Sequence, residues 1–362
     1  MNKRYVFPDL MRAISLFLVM IYNGWVLEVQ PSLPGQFAKF YIQHGGEIGV
    51  TAFFVLSGFG ITLSLIRNEE KHGRIALKEF YKGRVIRIVP NYYFALFLVI
   101  ILSSTQEMIT KFSLKNIVLH LVFLHNWDIN THGGIITVLW TMGTIVQFYV
   151  LAPFIYKAVK RFPVMSAIAS IAIAIGTQYV LFHYIIPACS TNPGAYFVYS
   201  REVITAIDNF VLGMSAAVLI KKVNYRNPVF LMGLLVMLVL IPVWSYIGAN
   251  HGIYSDNVSG YVWHSGLAII LTFMMCFGIL SGIGFNSSVF KPILFVAANE
   301  YGIYIYHYEI MRLWMAREHH FQIWMQGSIG KVIVLLIVTA ISILFGTIIG
   351  RLVDGFVLSN KK

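Results

Sequence analysis

Residues 48–66 read IGVTAFFVLSGFGITLSLI, nineteen consecutive residues without a charged side chain. A helix needs about 20 mostly apolar residues to cross a hydrocarbon layer about 30 Å thick, so this stretch predicts a membrane-spanning helix. The whole chain has a similar character: 58% of its 362 residues are hydrophobic, only 12% are charged, and the mean hydropathy is +0.73. Soluble domains carry about 25% charged residues. The sequence therefore predicts an all-α, polytopic membrane protein embedded in a lipid bilayer.

Composition also argues against other classes of protein. The two cysteines, Cys189 and Cys276, provide neither a set of metal ligands nor a disulfide framework, so we expect no metal site. A net charge of +12 would favour nucleic-acid binding in a soluble chain, but here the cations flank apolar segments and predict no nucleic-acid partner. The basic N-terminus leads into an apolar run without a small-residue cleavage site. We therefore interpret that run as a retained first span.

Ten segments are long and apolar enough to predict ten transmembrane helices. No charge block, flexible linker or low-complexity tract divides them, so residues 1–362 are interpreted as a single domain. An eleventh apolar run, 114–124, contains His120 and is too short to cross. The ten predicted spans are 10–28, 48–66, 88–105, 137–156, 164–186, 203–220, 228–247, 262–284, 293–311 and 332–350.

The distribution of lysine and arginine predicts the orientation of these spans. With the N-terminus inside and ten crossings, nineteen cations fall on the inner face and seven on the outer face, as the positive-inside rule requires. If 114–124 also crossed, every later connection would change sides and the asymmetry would largely vanish. We therefore expect 114–124 to lie on or dip into the outer surface and both termini to be cytoplasmic. The outer connections 29–47, 106–136, 187–202 and 248–261 are rich in loop-forming and polar residues.

Polar residues inside predicted spans are costly and therefore informative. Arg12 and Asn23 are eleven residues apart in the first span, which returns them to within about 20° of the same helix face and separates them by about 16 Å. Together they predict a polar stripe that begins at the inner mouth. Two simpler interpretations remain: Arg12 extends to lipid phosphates, and Asn23 joins neighbouring helices by a hydrogen bond.

Two further segments carry features that suit a ligand. Ser57, Gly58 and Gly60 lie near the middle of the second predicted span, where small residues permit close helix packing or a local break that lines a cavity. Arg84 and Arg87 are three residues apart, hence neighbours on a helix, and guanidinium groups bind phosphates well. Ordinary inner-face positive charge is the alternative for this arginine pair.

The remaining polar residues lie in two other spans. Gln147 is the only strongly polar side chain in the run from Trp140 to Tyr149. Glu300 is predicted inside the membrane, and His307 lies toward the outer end of the same span. Depth along the helices places His307 level with Asn23, so the two are predicted to share a site. A buried structural histidine is the alternative.

These segments together resemble the membrane acyltransferase-3 family, the bacterial surface-glycan O-acyltransferases, nearly from end to end. The resemblance implies a ten-helix core in the bacterial cytoplasmic membrane. It also implies transfer of an acyl group, often acetyl, from cytoplasmic acyl-CoA to an outer surface glycan or lipid-linked sugar. Arg84 and Arg87 match the family's arginine pair, which is associated with the CoA donor. The matching segments are Arg12 to Asn23, Phe53 to Phe59, Arg84 to Pro90, Trp140 to Tyr149 and Ile303 to His307.

The chain departs from the family pattern at two positions. Asn23 stands where the family has its presumed catalytic histidine, and Ile145 or Val146 stands where it usually has a glutamate. Asparagine cannot accept a proton at neutral pH.

The enzyme interpretation therefore assigns the base to His307, with Asn23 and Gln147 as hydrogen-bond donors to the developing oxyanion. Acetyl-CoA or another acyl-CoA would bind along Arg84, Arg87 and Arg12, beside Ser57 and Gly58.

Two interpretations without chemistry stay open. The same fold would serve as an export component for a glycan or lipid, or as a catalytically silent partner in a glycan-synthesis complex. Release of free CoA that depends on a glycan distinguishes an enzyme from both.

Overall fold

The structure, a computed structural model, describes residues 5–27, 36–103, 111–192, 194–223, 226–283, 290–315 and 327–359. Within these ranges the secondary structure is helical and contains no strand, which confirms the all-α class. The helices are α1 Val6–Val26, α2 Gln36–His72, α3 Leu77–Leu102, α4 Leu114–Leu121, α5 Trp140–Arg161, α6 Pro163–Val180, α7 Ile186–Cys189, α8 Gly194–Tyr199, α9 Ile207–Lys222, α10 Phe230–His251, α11 Val258–Leu280, α12 Lys291–Ala298, α13 Glu300–Met315 and α14 Gly327–Ser359. A π-helical turn, Leu181–Ile185, joins α6 to α7.

Eight of the ten predicted spans coincide with described helical segments that are long and apolar enough to cross a membrane. Each segment has about the length that the bilayer core requires. A helix suits this environment because backbone groups in lipid must be paired within the segment. The eight segments are Val6–Val26, Gln43–His72, Leu77–Leu102, Thr137–Arg161, Pro163–Cys189, Phe230–Gly248, Val258–Leu280 and Gly327–Val357.

The other two predicted spans, 203–220 and 293–311, differ from a continuous crossing helix. Helix α9 has 16 residues and starts only at Ile207, because residues 201–206 form turns in which Arg201 pairs with Glu47. Residues 293–311 are divided at Asn299, the single residue between α12 and α13, whose side-chain amide donates to the Phe295 carbonyl at 2.7 Å. The count of ten crossings therefore stays a prediction.

The short apolar run 114–124 forms the eight-residue helix α4. Ser113 caps its first turn by accepting a hydrogen bond from the Asn116 backbone N–H at 3.3 Å. At about 1.5 Å per residue this helix is far shorter than a bilayer core. Among the charges used to predict orientation, those that lie outside the described residues are Lys3, Arg4, Arg317, Lys361 and Lys362.

The centre of the bundle is held by a close crossing of α2 and α9. A Cβ atom at Gly58 would overlap the carbonyl oxygen of Phe210, and a Cβ at Gly213 would overlap that of Val55. Without these side chains the two backbones touch, as small residues allow in membrane helices. The crossing fixes α2 between α9 and α1, and α2 supplies much of the wall of the cavity described below.

The crossing predicts the effect of replacing Gly58 by alanine. We expect Gly58→Ala to lower the stability of the folded protein by about 1–3 kcal/mol, since the added methyl group meets backbone. Gly83→Ala is the matched control, because a Cβ at Gly83 meets nothing within 4 Å and alanine favours the helix. The measurement is the thermal unfolding midpoint in detergent. Equal midpoints for the two variants would contradict the crossing.

Candidate functional site

A cavity of about 320 Å³ lies among α1, α2, α3, α5 and α13, in the part of the chain that the structure describes. Its lining changes character along the helices. On α2, Arg67 and Val50 both face it, and their 17-residue separation corresponds to about 25 Å. One end is therefore cationic and the other apolar. The polar lining comprises Asp9, Arg12, Ser57, Arg67, Arg84, Arg87, Thr141 and Glu300.

Arg12 is held at the cationic end by two carboxylates. Its Nη1 donates to Asp9 Oδ1 at 2.6 Å, and its Nε lies 3.6 Å from Glu300 Oε2. Asp9 precedes Arg12 by three residues, so the two share a helix face. Arg12 therefore does not extend only to lipid phosphates, which was the simpler interpretation of its position.

Arg84 is partnered differently. Its Nη2 donates to Ser64 Oγ at 2.7 Å, and its guanidinium lies 5.6 Å from the Phe80 ring centroid and 5.8 Å from that of Tyr149. Its Nε is buried without a hydrogen-bond partner among the described residues.

Arg84 and the neighbouring Arg87 both line the cavity. Among the residues that the structure describes, no carboxylate forms an ion pair with either of them. The cationic end therefore has donor capacity that the protein itself does not use.

The far end of the cavity is walled by apolar side chains and one hydroxyl pair. Thr141 Oγ1 and Tyr304 OH are 2.7 Å apart, and the Phe53 ring meets the Tyr304 ring edge-on. Both hydroxyls also reach the Val138 carbonyl, Thr141 at 2.9 Å and Tyr304 at 3.3 Å. The apolar wall at this end includes Val50, Phe53, Phe54, Met142 and Ile145.

Asn23 and His307 are brought together beside that end, as their depth along the helices predicts. His307 Nδ1 lies 2.7 Å from the Tyr304 carbonyl, which can only accept, so Nδ1 carries the proton. In the neutral ring Nε2 then accepts from Asn23 Nδ2 at 2.9 Å. Both residues are buried and neither lines the cavity, whereas Tyr304, whose carbonyl accepts from His307, does line it. The pair therefore adjoins the cavity without lining it.

Gln147 and Gly58 lie away from the cavity lining. The Gln147 amide donates to the Phe123 carbonyl at 2.9 Å and to Asn126 Oδ1 at 2.8 Å, and its oxygen accepts from Trp127 Nε1 at 2.8 Å. These bonds hold the segment after α4 against α5. Gly58 faces α9, as the interpretation of close helix packing predicts. Ser57 does line the cavity.

Ile145 and Val146, the two candidates for the family's glutamate position, differ in their exposure to the cavity. Both pack against the hydrophobic cluster around α3 and α13, but of the two only Ile145 lines the cavity. The cavity wall at Ile145 therefore presents a branched aliphatic group.

A buried polar network lies beside the N-terminal end of α5. Arg201 pairs with Glu47 and is enclosed by the rings of Trp140, Phe197 and Tyr254, with its guanidinium carbon 3.5 Å from the Phe197 centroid. Next to it Glu202 accepts from Asn126 Nδ2 at 2.7 Å, and burial raises the Glu202 pKa to about 9. Glu202 is therefore neutral near pH 7.

Two buried histidines belong to the same region. His120 and His125 stack with ring centroids 3.9 Å apart. Burial lowers the pKa of His120 to about 4 and that of His125 to about 3, so both are uncharged at neutral pH.

Several cavity residues were missed as site residues by sequence reasoning. Asp9 could have been found from its spacing to Arg12, and Glu300 from its predicted depth in the membrane. Arg67, Thr141 and Tyr304 had no such signal, because only packing places them on the cavity wall.

Comparison with known proteins agrees with this picture. The family described as "Acyltransferase domain" matches residues 5–351. The chain is 26% identical to the peptidoglycan O-acetyltransferase OatA of Listeria monocytogenes over 339 residues, covering 86% of this chain and 50% of that protein. It is also 26% identical to the O-acetyltransferase OatA of Staphylococcus aureus over 293 residues, covering 74% of this chain and 46% of that protein.

The chain thus aligns with only about half the length of these relatives. No solved structure matches it significantly. Since the family match extends over almost the entire chain, the chain belongs to the acyltransferase-3 family.

Proposed function

We propose that this protein is a membrane O-acyltransferase that moves an acetyl group, or a related acyl group, from acyl-CoA to a carbohydrate hydroxyl on the opposite membrane face. The single observation that carries the proposal is the two-ended cavity: Arg84 and Arg87 face it at one end, and an apolar wall closes the other. A CoA thioester has the same polarity, with phosphates at one end and an acyl group at the other.

Donor binding follows from the charges at the cationic end. Arg84 and Arg87 bind the CoA phosphates, because a guanidinium donates several hydrogen bonds to phosphate oxygens and neither group is engaged by a described carboxylate. Arg12, fixed by Asp9, contributes a third positive charge. The pantetheine arm then runs past Ser57 toward Met142 and Ile145, which enclose the acyl group.

The chemical step is acyl transfer with His307 as base. The sugar hydroxyl oxygen forms a bond to the thioester carbonyl carbon, and His307 Nε2 takes the hydroxyl proton. The carbon–sulfur bond breaks, and the CoA thiolate leaves and receives the proton that His307 Nε2 had taken. Because the Asn23 amide occupies His307 Nε2, the hydroxyl replaces that amide before it can be deprotonated.

We propose peptidoglycan as the acceptor, because one matching relative is named a peptidoglycan O-acetyltransferase. The corresponding location is the bacterial cytoplasmic membrane, with ten crossings and both termini inside. In this orientation the cationic end opens to cytoplasmic CoA and the Asn23–His307 end adjoins the glycan.

A second candidate function is export of a glycan or lipid without chemistry. The aliphatic wall at Ile145 and the absence of a proton acceptor at Asn23 favour it, since both weaken proton transfer while the donor arginines remain. Glycan-dependent release of free CoA is expected only of the enzyme.

The proposed orientation predicts where the segment from Arg67 to Arg87 lies. We expect reporter tags inserted at Gly73 to report a cytoplasmic position, because this connection carries seven of the inner cations. Tags in the connection 248–261 should report the outer side. An external position for Gly73 would reverse the donor side and contradict the proposal.

The donor site predicts loss of CoA binding when both of its arginines are removed. We expect the double variant Arg84→Ala, Arg87→Ala to bind CoA at least about a hundredfold more weakly, since each charge-assisted bond contributes about 1.5–3 kcal/mol. Lys78→Ala with Lys82→Ala is the matched control, with the same charge loss on exposed positions of α3. Titration of the purified protein with CoA measures the effect. Equal affinity for the two double variants would remove the assignment.

The altered base position predicts a gain of activity for Asn23→His. An imidazole there can accept a proton, and general-base catalysis typically contributes about 10²–10⁴-fold, so we expect turnover to rise at least about tenfold. The reciprocal variant His307→Gln should abolish turnover while the thermal midpoint stays close to that of the wild type. Free CoA and ester-linked acetyl on peptidoglycan are the readouts. Unchanged turnover in His307→Gln would exclude His307 as the base.

A further inference from the structure

Glu300 is an acid among the cations of the proposed donor site. It is the first residue of α13, directly after the break at Asn299, and its Oε2 lies 3.6 Å from Arg12 Nε. Its side chain lines the cavity of the candidate site and also a second cavity of about 90 Å³, and Arg87 lines both as well. A phosphate bound by Arg87 would therefore approach the Glu300 carboxylate.

Neutralising Arg12 does not require Glu300. Asp9 already pairs with Arg12 at the shorter distance of 2.6 Å. Glu300 is therefore a second carboxylate beside Arg12, on the part of the cavity where Arg84 and Arg87 would bind an anion.

A role at the helix end is the simpler explanation for an acid at this position. Carboxylates in the first turn stabilise a helix by about 0.3–1 kcal/mol through its dipole. That role needs no cavity and no nearby arginine, whereas Glu300 has both. The two roles also differ in what they predict for ligand binding.

On the basis of the proposed function, we propose that Glu300 is an internal competitor of the phosphorylated donor. Its carboxylate limits the affinity of the cationic end for CoA. The product CoA has the same phosphates as the donor acyl-CoA. Without Glu300, four arginines and a single described carboxylate, that of Asp9, would line this end of the cavity and retain the product, and release of product often limits turnover. The Glu300 charge lowers the affinity for the CoA phosphates to a level at which the donor binds and the product still leaves.

The test compares two ligands and two variants of the full chain in detergent. We expect Glu300→Gln to bind CoA about tenfold more tightly at low salt, as removal of one nearby unit charge implies at the dielectric of a protein surface. The gain should shrink at about 0.5 M salt, where the charges are screened. Pantetheine, which has the same arm without phosphates, should bind both proteins equally.

Glu79→Gln is the matched control, since Glu79 is exposed in the first turn of α3 and does not line either cavity. Its affinity for CoA should equal that of the wild type. If Glu300→Gln fails to fold, Glu300→Ser removes the same charge with a smaller polar side chain.

The outcomes separate this inference from the proposed function. Wild-type binding of CoA with unchanged or weaker binding by Glu300→Gln overturns the competitor role and leaves the donor site standing. An equal gain for CoA and pantetheine would mean a reshaped cavity and overturns it too. No binding of CoA by either protein overturns both.

Discussion

A charge inside a helix bundle persists only where a partner or water offsets the cost of removing it from solvent. In the candidate site, the buried charges meet this constraint to different degrees. Arg12 is held by two carboxylates, whereas Arg84 relies on a hydroxyl and two aromatic faces. The difference leaves unused hydrogen-bond capacity at one end of the cavity. An external anion would use this hydrogen-bond capacity.

The same constraint separates the two halves of the proposed reaction. The cations lie at one end of the cavity, and the polar pair Asn23 and His307 lies beside the other, with apolar side chains between. An apolar wall strengthens any electrostatic interaction with the thioester, because it excludes water. It also means that proton transfer depends on very few groups. Replacement of one of them, at Asn23, therefore changes the expected chemistry more than replacement of a surface residue would.

Sequence reasoning predicted correctly that two distant polar residues lie together, because helical spacing is a strong geometric rule. It placed Asn23 level with His307, although 284 residues separate them, and the two are hydrogen-bonded. Polarity alone did not show which residues line the cavity. Gln147 is as polar as a catalytic residue, but its amide is fully used by neighbouring loop groups. Gly58 packs against α9. Its position in a glycine-rich stretch could not show whether it packs against a helix or binds a ligand.

The sequence by itself determined the helical class, the apolar segments and the order of the polar residues along each helix. These follow from hydrophobicity and from the 3.6-residue repeat, which are local properties. Only the tertiary structure decided which helix faces meet, and hence that Arg12 lies beside two carboxylates while Arg84 has none as an ion-pair partner among the described residues. It also decided where 203–220 and 293–311 depart from continuous helices. The physical reason is that pairing of buried charges depends on side chains far apart in the chain, and no local pattern encodes their distance.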